Sequence, residues 1–488
     1  MQRNLSEELR RIYRCSPDEL LAHTSRYDRL LTFYRSNFSG PNPVFLVRAP
    51  GRVNLIGEHT DYNGYPVMPM AIDRDVVFVC TPRKDATIEI INEASSFEHR
   101  TFDARFPVAP YAQGDWGNYV KAAVHGILNA GLLNPKTALG FQAIIGGTIP
   151  ESAGLSSSSA LVVASALTFL AANRKEVDKE ELAELLAHAE RYVGSEGGGM
   201  DQAVSLLAEA GKALKIDFFP LRTEPVSLPQ NLSFIVCNSL IRAPKSESIR
   251  YAYNRRAVEC RLATALIAGA VHERWGKMVE SNRLADLSGE RLGLEQRTVD
   301  KIVAQAVGES PLFLKEISRL LREPAEIVQK RYCTLGDGTV LVEPPDGFKI
   351  WNRYRHVVSE ARRVNDAAGA LGAGENTVVG ELMNQSQASC RDDYEISCPE
   401  LEALVSIARE HGAIGARLTG AGFGGCTVNA VPMNRVDNFI RGVTAAYYQG
   451  YVQREKGRPF TQYTNLQDVM FLCRATTGAG AWPMRGDH

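Results

Sequence analysis

The segment Pro150-Glu-Ser-Ala-Gly154-Leu-Ser-Ser-Ser-Ser159-Ala stands between LGFQAIIGGTIP, which reads as a strand, and LVVASALTFLAANRK, which reads as a helix. A strand, a loop of small residues and a helix in direct succession point to a layered α/β architecture. Small residues let backbone N–H groups approach an anion closely, and the helix N-terminus adds a favourable dipole. The serine hydroxyls could donate to phosphate oxygens or ligate Mg2+. The same serines would equally cap a helix with no ligand present. The segment lacks the Lys of G-x-x-x-x-G-K-[ST] and the second Gly of G-x-S-x-G, so it is neither a Walker loop nor a nucleophile elbow.

The remaining patterns alternate strands with helices. Phe45 to Val53, MPMAIDRDVVFVC and ATIEIIN read as strands, and DWGNYVKAAVHGILNAGL, KEELAELLAHAERYVGS and EGGGMDQAVSLLAE read as helices or turns into helices. The first forty residues read as helical, and a further helical stretch spans about 285–345. Pro220, Pro225 and Pro229 punctuate FFPLRTEPVSLPQN, which is the expected boundary between a first unit over 1–225 and a second over 226–488.

Composition narrows the function classes. With 55 Lys+Arg against 56 Asp+Glu, the net charge of −1 provides no general attraction to nucleic acid or an anionic membrane, and neither is an expected partner. The longest apolar run, ALVVASALTFLAA, is shorter than the ~20 residues that span a bilayer. Nine scattered cysteines without a C-x-x-C pair suit a reducing, cytoplasmic setting better than a disulfide framework or a zinc site. No segment announces an obligate protein partner. His125, His188, His272, His356 and His411 lack metal-ligand spacing and read as packing or surface residues.

Three further segments carry chemistry. Gly51-Arg52-Val-Asn-Leu-Ile-Gly-Glu58-His59-Thr-Asp61-Tyr-Asn-Gly64 gathers charged and imidazole groups within a strand and its following turn. Such a set suits a polyhydroxyl ligand, whose hydroxyls each want a donor and an acceptor; a solvated loop with one salt bridge is the plainer reading. Asp201 follows three glycines and opens an apolar helix, so it is either an N-cap or a carboxylate able to accept a proton from a substrate hydroxyl. Glu190, eleven residues earlier, is a possible Mg2+ carboxylate. Gly420-Ala-Gly-Phe-Gly-Gly425 satisfies G-x-G-x-x-G, but a helix precedes it and a strand follows, the reverse of a dinucleotide-binding turn, which argues against an oxidoreductase.

In this order the segments GRVNLIGEHTDYNGYPVMPMAID, GTIPESAGLSSSSALVVAS and ARLTGAGFGGCTV resemble the three motifs of the GHMP kinase superfamily, and the first looks like the galactokinase signature. With ERYVGSEGGGMDQAVSLLAE, YNRRAVECRLA and GELMNQSQASCRDDYEISCPEL between them, the chain is most similar to the eukaryotic galactokinase and N-acetylgalactosamine kinase branch, from about Phe45 to Cys473.

The resemblance implies a two-domain α/β (α+β) fold with the active site in the interdomain cleft, and a C-terminal region that can return to the first domain. It implies transfer of the γ-phosphoryl group of ATP, with Mg2+, to the C1 hydroxyl of galactose. By motif position Asp201 would be the base and Arg52 its cationic partner, with Glu58, His59, Asp61, Gly198 and Tyr253 around the sugar. Gly154, Ser156, Ser157 and Ser158 would cradle phosphates, Ser158 and Glu190 would hold Mg2+, and Trp116 and Lys245 would meet the nucleotide. Tyr253 stands where the N-acetylgalactosamine kinases carry Phe, which favours galactose over N-acetylgalactosamine. Regulatory relatives that bind galactose and ATP without turnover have a shortened second motif, whereas Gly154 to Ala160 is complete here.

Overall fold

The computed structural model describes residues 2–39, 45–151, 153–194, 197–241, 247–276, 279–335, 338–456 and 466–484. In chain order the first half runs α1 (Gln2–Tyr13), α2 (Pro17–Asn37), β1 (Phe45–Ile56), β2 (Met68–Pro82), β3 (Thr87–Asn92), β4 (Arg100–Asp103), α3 (Gly117–Asn129) and β5 (Phe141–Gly147). It continues with α4 (Ser157–Ala172), α5 (Lys179–Ala189), α6 (Met200–Leu207), β6 (Lys212–Asp217), β7 (Arg222–Ser227) and β8 (Leu232–Asn238). Then come α7 (Glu247–Trp275), the insert helices α8 (Gly289–Leu292), α9 (Gln296–Val307), α10 (Leu314–Leu321) and α11 (Ala325–Tyr332), and the long helices α12 (Ile350–Ala373) and α13 (Asn376–Asp392). The chain closes with α14 (Pro399–Glu410), β9 (Gly415–Thr419), β10 (Cys426–Pro432), α15 (Val436–Val443), a π-helical turn, α16 (Val452–Lys456), β11 (Met470–Cys473) and β12 (Gly480–Pro483).

Two main sheets organise these elements. The first has the order β12-β1-β2-β5-β3-β4, antiparallel except where β3 runs parallel to β5. The second, β11-β8-β10-β9, is antiparallel throughout. The C-terminal strand β12 therefore returns to the first sheet, edge to edge with β1. All twelve positions of β1 are buried because helices cover both faces of this sheet. On one face the apolar sides of α4 and α6 pack on Val47, Ala49, Val53 and Phe78, and α3 packs on α4. On the other, α1 and α2 set Tyr13, Tyr27, Leu30 and Tyr34 on Leu46, Val77, Val79 and Ile144.

Helix α2 starts at a full capping box, Ser16 with Glu19, and carries Pro17 at its first turn, where the missing N–H costs nothing. Beneath α1 and α2 lies a buried ionic triad. Asp75 accepts from Arg26 at 2.6 Å and from Arg48 at 2.6 Å, and also from the Tyr13 hydroxyl. The two guanidiniums hold the Asp75 carboxyl well below the usual carboxylate range against the opposing effect of burial.

The proline-punctuated stretch, the expected boundary between the two units, carries regular structure. Residues 212–227 form the β6–β7 hairpin, with Pro225 opposite Leu214 and Ile216 bridged to Val67. Proline is tolerated there because β7 is an edge strand. The insert helices bury Val299, Val303, Ile317 and Val328 against α7 and α12 as a separate core. All nine cysteines are free, and among the described residues no helix is long and apolar enough to cross a membrane.

Candidate active site

Strand β1 places the first functional group. Its pairing with β2 slips between Pro50 and Arg52, and at this irregularity the Arg52 amide leaves the ladder and donates to the Leu155 carbonyl at 3.1 Å. The bulge thus docks β1 onto the Gly/Ser loop and turns the Arg52 side chain toward α6. There Arg52 forms a two-point pair with Asp201, Nε to Oδ1 at 2.7 Å and Nη2 to Oδ2 at 3.0 Å. Its remaining Nη1 donates to the Gly154 carbonyl at 2.5 Å, and the Ser156 hydroxyl donates to Asp201 Oδ2. Ser156 takes a left-handed conformation, φ 60°, at the start of α4. The expected phosphate cradle and the expected base are therefore in direct contact.

A cavity of about 140 Å³ opens beside this pair. It is lined by Arg52, Glu58, His59, Asp61, Glu190, Gly198, Asp201 and Tyr253, and also by Tyr62, Gln202, Gly420 and Ala421. Residues 150 positions apart in the chain meet here because the turn after β1, a 3-10 turn over Asp61–Asn63, closes on Gly64 in the left-handed region and folds back over α6. Asp61 Oδ2 accepts from the Gly198 amide at 3.1 Å. A Cβ on Gly198 would lie 2.3 Å from the Tyr62 nitrogen, so only glycine allows this approach. Burial and the facing Asp201 push the Asp61 carboxyl up to about 6.

Two expected sugar-binding groups are largely committed to the protein. Glu58 Oε1 accepts from Arg417 at 3.2 Å and from the Gly420 amide at 2.9 Å, and burial raises its carboxyl above the ordinary range despite Arg417. The His59 ring meets the Tyr62 hydroxyl at Nδ1, 2.9 Å, and the Ala421 carbonyl at Nε2, 3.1 Å. Burial pulls the imidazole down to about 3, so it is neutral. Tyr253 projects from α7 with its ring 5.3 Å from that of His59.

The glycine loop between β9 and β10 presses on the Gly/Ser loop backbone to backbone. A Cβ on Gly420 would lie 2.5 Å from the Gly154 oxygen, and one on Gly154 would lie 2.8 Å from the Thr419 oxygen. Helix–strand–loop–strand order is what the structure has here, a hairpin and no dinucleotide turn.

Glu190 is the candidate cation ligand. It is buried, its Oε1 has no hydrogen-bond partner, and burial pushes its carboxyl up to about 7, with the Ser159 hydroxyl opposing and Asp201 adding to the rise. An orphaned buried carboxylate oxygen beside the start of α4 fits a hard cation. Among the described residues no group of three or more His, Cys, Asp or Glu could hold a metal, so a cation here would draw on Glu190, a hydroxyl such as Ser158 and phosphate oxygens. Ser157 and Ser158 lie half-buried in the first turn of α4. Trp116 caps the start of α3, outside the lining of the cavity, with its indole N–H on the Glu98 carbonyl at 3.0 Å and its ring edge-on to Phe97. Lys245 lies outside the described residues.

Sequence reasoning missed Arg417, Glu360 and Tyr394, which brace the sugar turn from β9, α12 and the bend after α13. Glu360 Oε1 accepts from the Gly57 amide at 2.9 Å, and Arg417 Nη1 donates to the Asn54 carbonyl at 3.1 Å. No local pattern marks such long-range partners.

Comparison with known proteins agrees with this architecture. The galactokinase galactose-binding signature matches residues 32–82, the GHMP kinases N terminal domain 118–209 and the GHMP kinases C terminal domain 367–449. The chain is 36% identical to a galactokinase of Dictyostelium discoideum over 463 residues, covering 88% of this chain and 89% of that protein. It is 35% identical to a galactokinase of Roseiflexus sp. (strain RS-1), covering 90% of this chain and 94% of that protein. The structure of Lactococcus lactis galactokinase complexed with galactose superposes with a TM-score of 0.72 at 27% identity, covering 93% of this chain and 99% of that one. A mevalonate kinase, at 17% identity and a TM-score of 0.52, shares the fold. With the signature turn and the C-terminal glycine hairpin lining one cavity, and the Gly/Ser loop abutting it through Arg52 and Asp201, the chain belongs to the galactokinase family of GHMP kinases.

Proposed function

We propose that this protein is a galactokinase that transfers the γ-phosphoryl group of ATP to the C1 hydroxyl of galactose. The observation that carries the reading is the two-point Arg52–Asp201 pair at the edge of a sugar-sized cavity, tied through Gly154 to the loop that opens α4. A carboxylate offers about four acceptor positions. Arg52 takes two and Ser156 a third, which leaves one on Oδ1 for a sugar hydroxyl. Asp201 would accept the hydroxyl proton as the O–P bond forms, while Arg52 keeps the carboxylate oriented and adds positive charge near the transferring group.

The nucleotide side would use the amides of Gly154 to Ser158 and the positive end of the α4 dipole for the phosphates. Since the Ser156 hydroxyl is taken by Asp201, its backbone is the part it offers to phosphate. Trp116 would line the adenine side and Lys245 would reach the nucleotide. Ser158 and Glu190 would hold Mg2+, which neutralises phosphate charge when bound. On the sugar side, Asp61 offers a carboxyl oxygen, and Tyr253 crowds the wall against a bulkier substituent, which favours galactose over N-acetylgalactosamine. Little covalent work is asked of the protein in such a transfer, and positioning supplies most of the rate.

The test is ATP-dependent ADP release with galactose, N-acetylgalactosamine and glucose in parallel. Turnover on galactose well above the other two is expected. Preference for N-acetylgalactosamine would overturn the specificity reading, and tight ATP binding without turnover on any sugar would overturn the enzyme reading.

A further inference from the structure

We infer that Tyr62 and Tyr394 are positioning residues for the sugar pocket: a one-way line of hydrogen bonds through both phenols holds the ring of His59 at the angle at which its Nε2–H clasps the C-terminal glycine loop at Ala421. The kinetic arm of the test rests on the galactokinase reading; the spectroscopic arm does not.

The polarity of the line follows from its two ends. The Ala421 carbonyl can only accept, so His59 Nε2, 3.1 Å away, carries the proton. The imidazole is neutral, so Nδ1 must accept, and the Tyr62 hydroxyl at 2.9 Å is the donor. Having given its proton, the Tyr62 oxygen accepts from the Tyr394 hydroxyl at 2.6 Å. The Tyr394 oxygen in turn lies 3.3 Å from the Cys260 sulfur and accepts from the thiol. Tyr394 and Cys260 are fully or almost fully buried, so water does not compete for these positions.

The line terminates where it matters for the pocket. Gly420 donates its amide to Glu58 Oε1, and Ala421 accepts from the ring of His59, so two consecutive residues of the loop are clasped by two consecutive residues of the sugar turn. His59 itself sits at φ 60°, a conformation that a residue with a Cβ holds only when its surroundings enforce it. Tyr394 braces the same turn a second way. Its ring packs 4.3 Å from that of His356, whose Nε2 donates to the Glu58 carbonyl at 3.0 Å.

Removing the Tyr62 hydroxyl leaves Nδ1 buried without a donor. Moving the proton to Nδ1 would restore nothing, since two lone pairs would then face each other at Ala421, so the Nε2–H tautomer stays and the imidazole recovers by turning Nδ1 toward the cavity and its water, which draws Nε2–H off the Ala421 carbonyl. The loop is expected to lift from the cavity and weaken sugar binding while the Arg52–Asp201 pair stays in place.

The experiment uses the full chain labelled with 15N-histidine, with the His59 resonances assigned from a His59→Asn variant, and steady-state kinetics on the same samples. Wild type is expected to show His59 as the neutral Nε2–H tautomer. Tyr62→Phe and Tyr394→Phe are expected to keep that tautomer, to move the Nδ1 resonance as its hydrogen bond is lost or weakened, and to raise KM for galactose by about tenfold with kcat changed less than about threefold. Tyr394 does not line the cavity, so its variant separates positioning from direct sugar contact and serves alone if Tyr62→Phe does not fold. An Nδ1–H tautomer or an imidazolium in wild type would overturn the inference. So would an unchanged galactose KM in Tyr394→Phe with only a lower melting temperature. Absence of galactose turnover in wild type would remove the galactokinase reading, and the Nδ1 resonance in the variants would still decide this one, an unmoved Nδ1 in both overturning it.

Discussion

Gly420→Ala is a one-atom probe of how the two halves of the site are coupled. At Gly420 φ is +87°, and the added Cβ would lie 2.5 Å from the Gly154 oxygen. Moving that contact to the 3.4 Å of ordinary packing takes about 0.9 Å of displacement between the two loops. An L-residue in the left-handed region adds about 1–2 kcal/mol of strain, enough to lower the melting temperature without unfolding the chain. The larger effect falls on catalysis, because the Gly154 carbonyl that must retreat is the one that accepts from Arg52 Nη1. A shift there is passed to the Arg52–Asp201 pair, and a misplacement of ~1 Å costs on the order of 100-fold, or about 2.7 kcal/mol of transition-state stabilisation. The assay is kcat/KM for galactose at saturating ATP, alongside a thermal melt. A loss of about 100-fold in kcat/KM with a folded protein is expected. A variant within threefold of wild type would refute the claim that the glycine loop sets the position of Arg52.

Other consequences follow from particular groups. Glu190→Gln removes the charge of a buried carboxylate whose Oε1 lacks a partner, and the Mg2+ concentration for half-maximal activity should rise by about tenfold or more while KM for galactose holds; an unchanged Mg2+ dependence would exclude Glu190 as a ligand. Asp75→Ala strips the shared partner from Arg26 and Arg48 and should cost about 3–5 kcal/mol in chemical denaturation, with kinetics of the surviving folded protein near wild type. Asp61, raised to about 6, favours folding in its neutral form, so its contribution is full below the ordinary carboxylate pKa and is lost as pH rises through about 6. Melting temperatures of the sugar-free protein across pH 4.5–7.5 should therefore fall less with rising pH in Asp61→Asn than in wild type, and parallel profiles would contradict this.

What the sequence made legible was local. The Gly/Ser loop, the sugar turn and the helix opened by Asp201 each show as a break in periodicity filled with small or charged residues, and the structure brings the last two to one cavity and sets the loop beside it on Arg52 and Asp201. The alternation of strands and helices was visible for the same reason, since 2- and 3.6-residue periods are properties of short windows. What was not legible shares a cause. Pro225 reads as a breaker, but pairing with Leu214 makes it part of a hairpin. The four residues of β12 are too short to announce a strand that pairs with β1 more than 400 residues earlier. Glu58 reads as free to meet a ligand until Arg417 and Gly420 arrive from the far end of the chain, and the Tyr394 hydroxyl gains meaning only beside Tyr62. Contacts of this kind are set by tertiary packing, and a window of sequence carries no trace of them.

The central claim is that Asp201, held by Arg52, takes the proton from a bound sugar hydroxyl. Asp201→Asn keeps the size and shape of the side chain and removes the charge, so galactose binding measured by calorimetry and product formation measured by 31P NMR on the same sample separate recognition from chemistry. Galactose affinity within about tenfold of wild type, together with a fall in galactose 1-phosphate formation of two or more orders of magnitude, is the predicted result. Formation of the product at near wild-type rate by Asp201→Asn would contradict it.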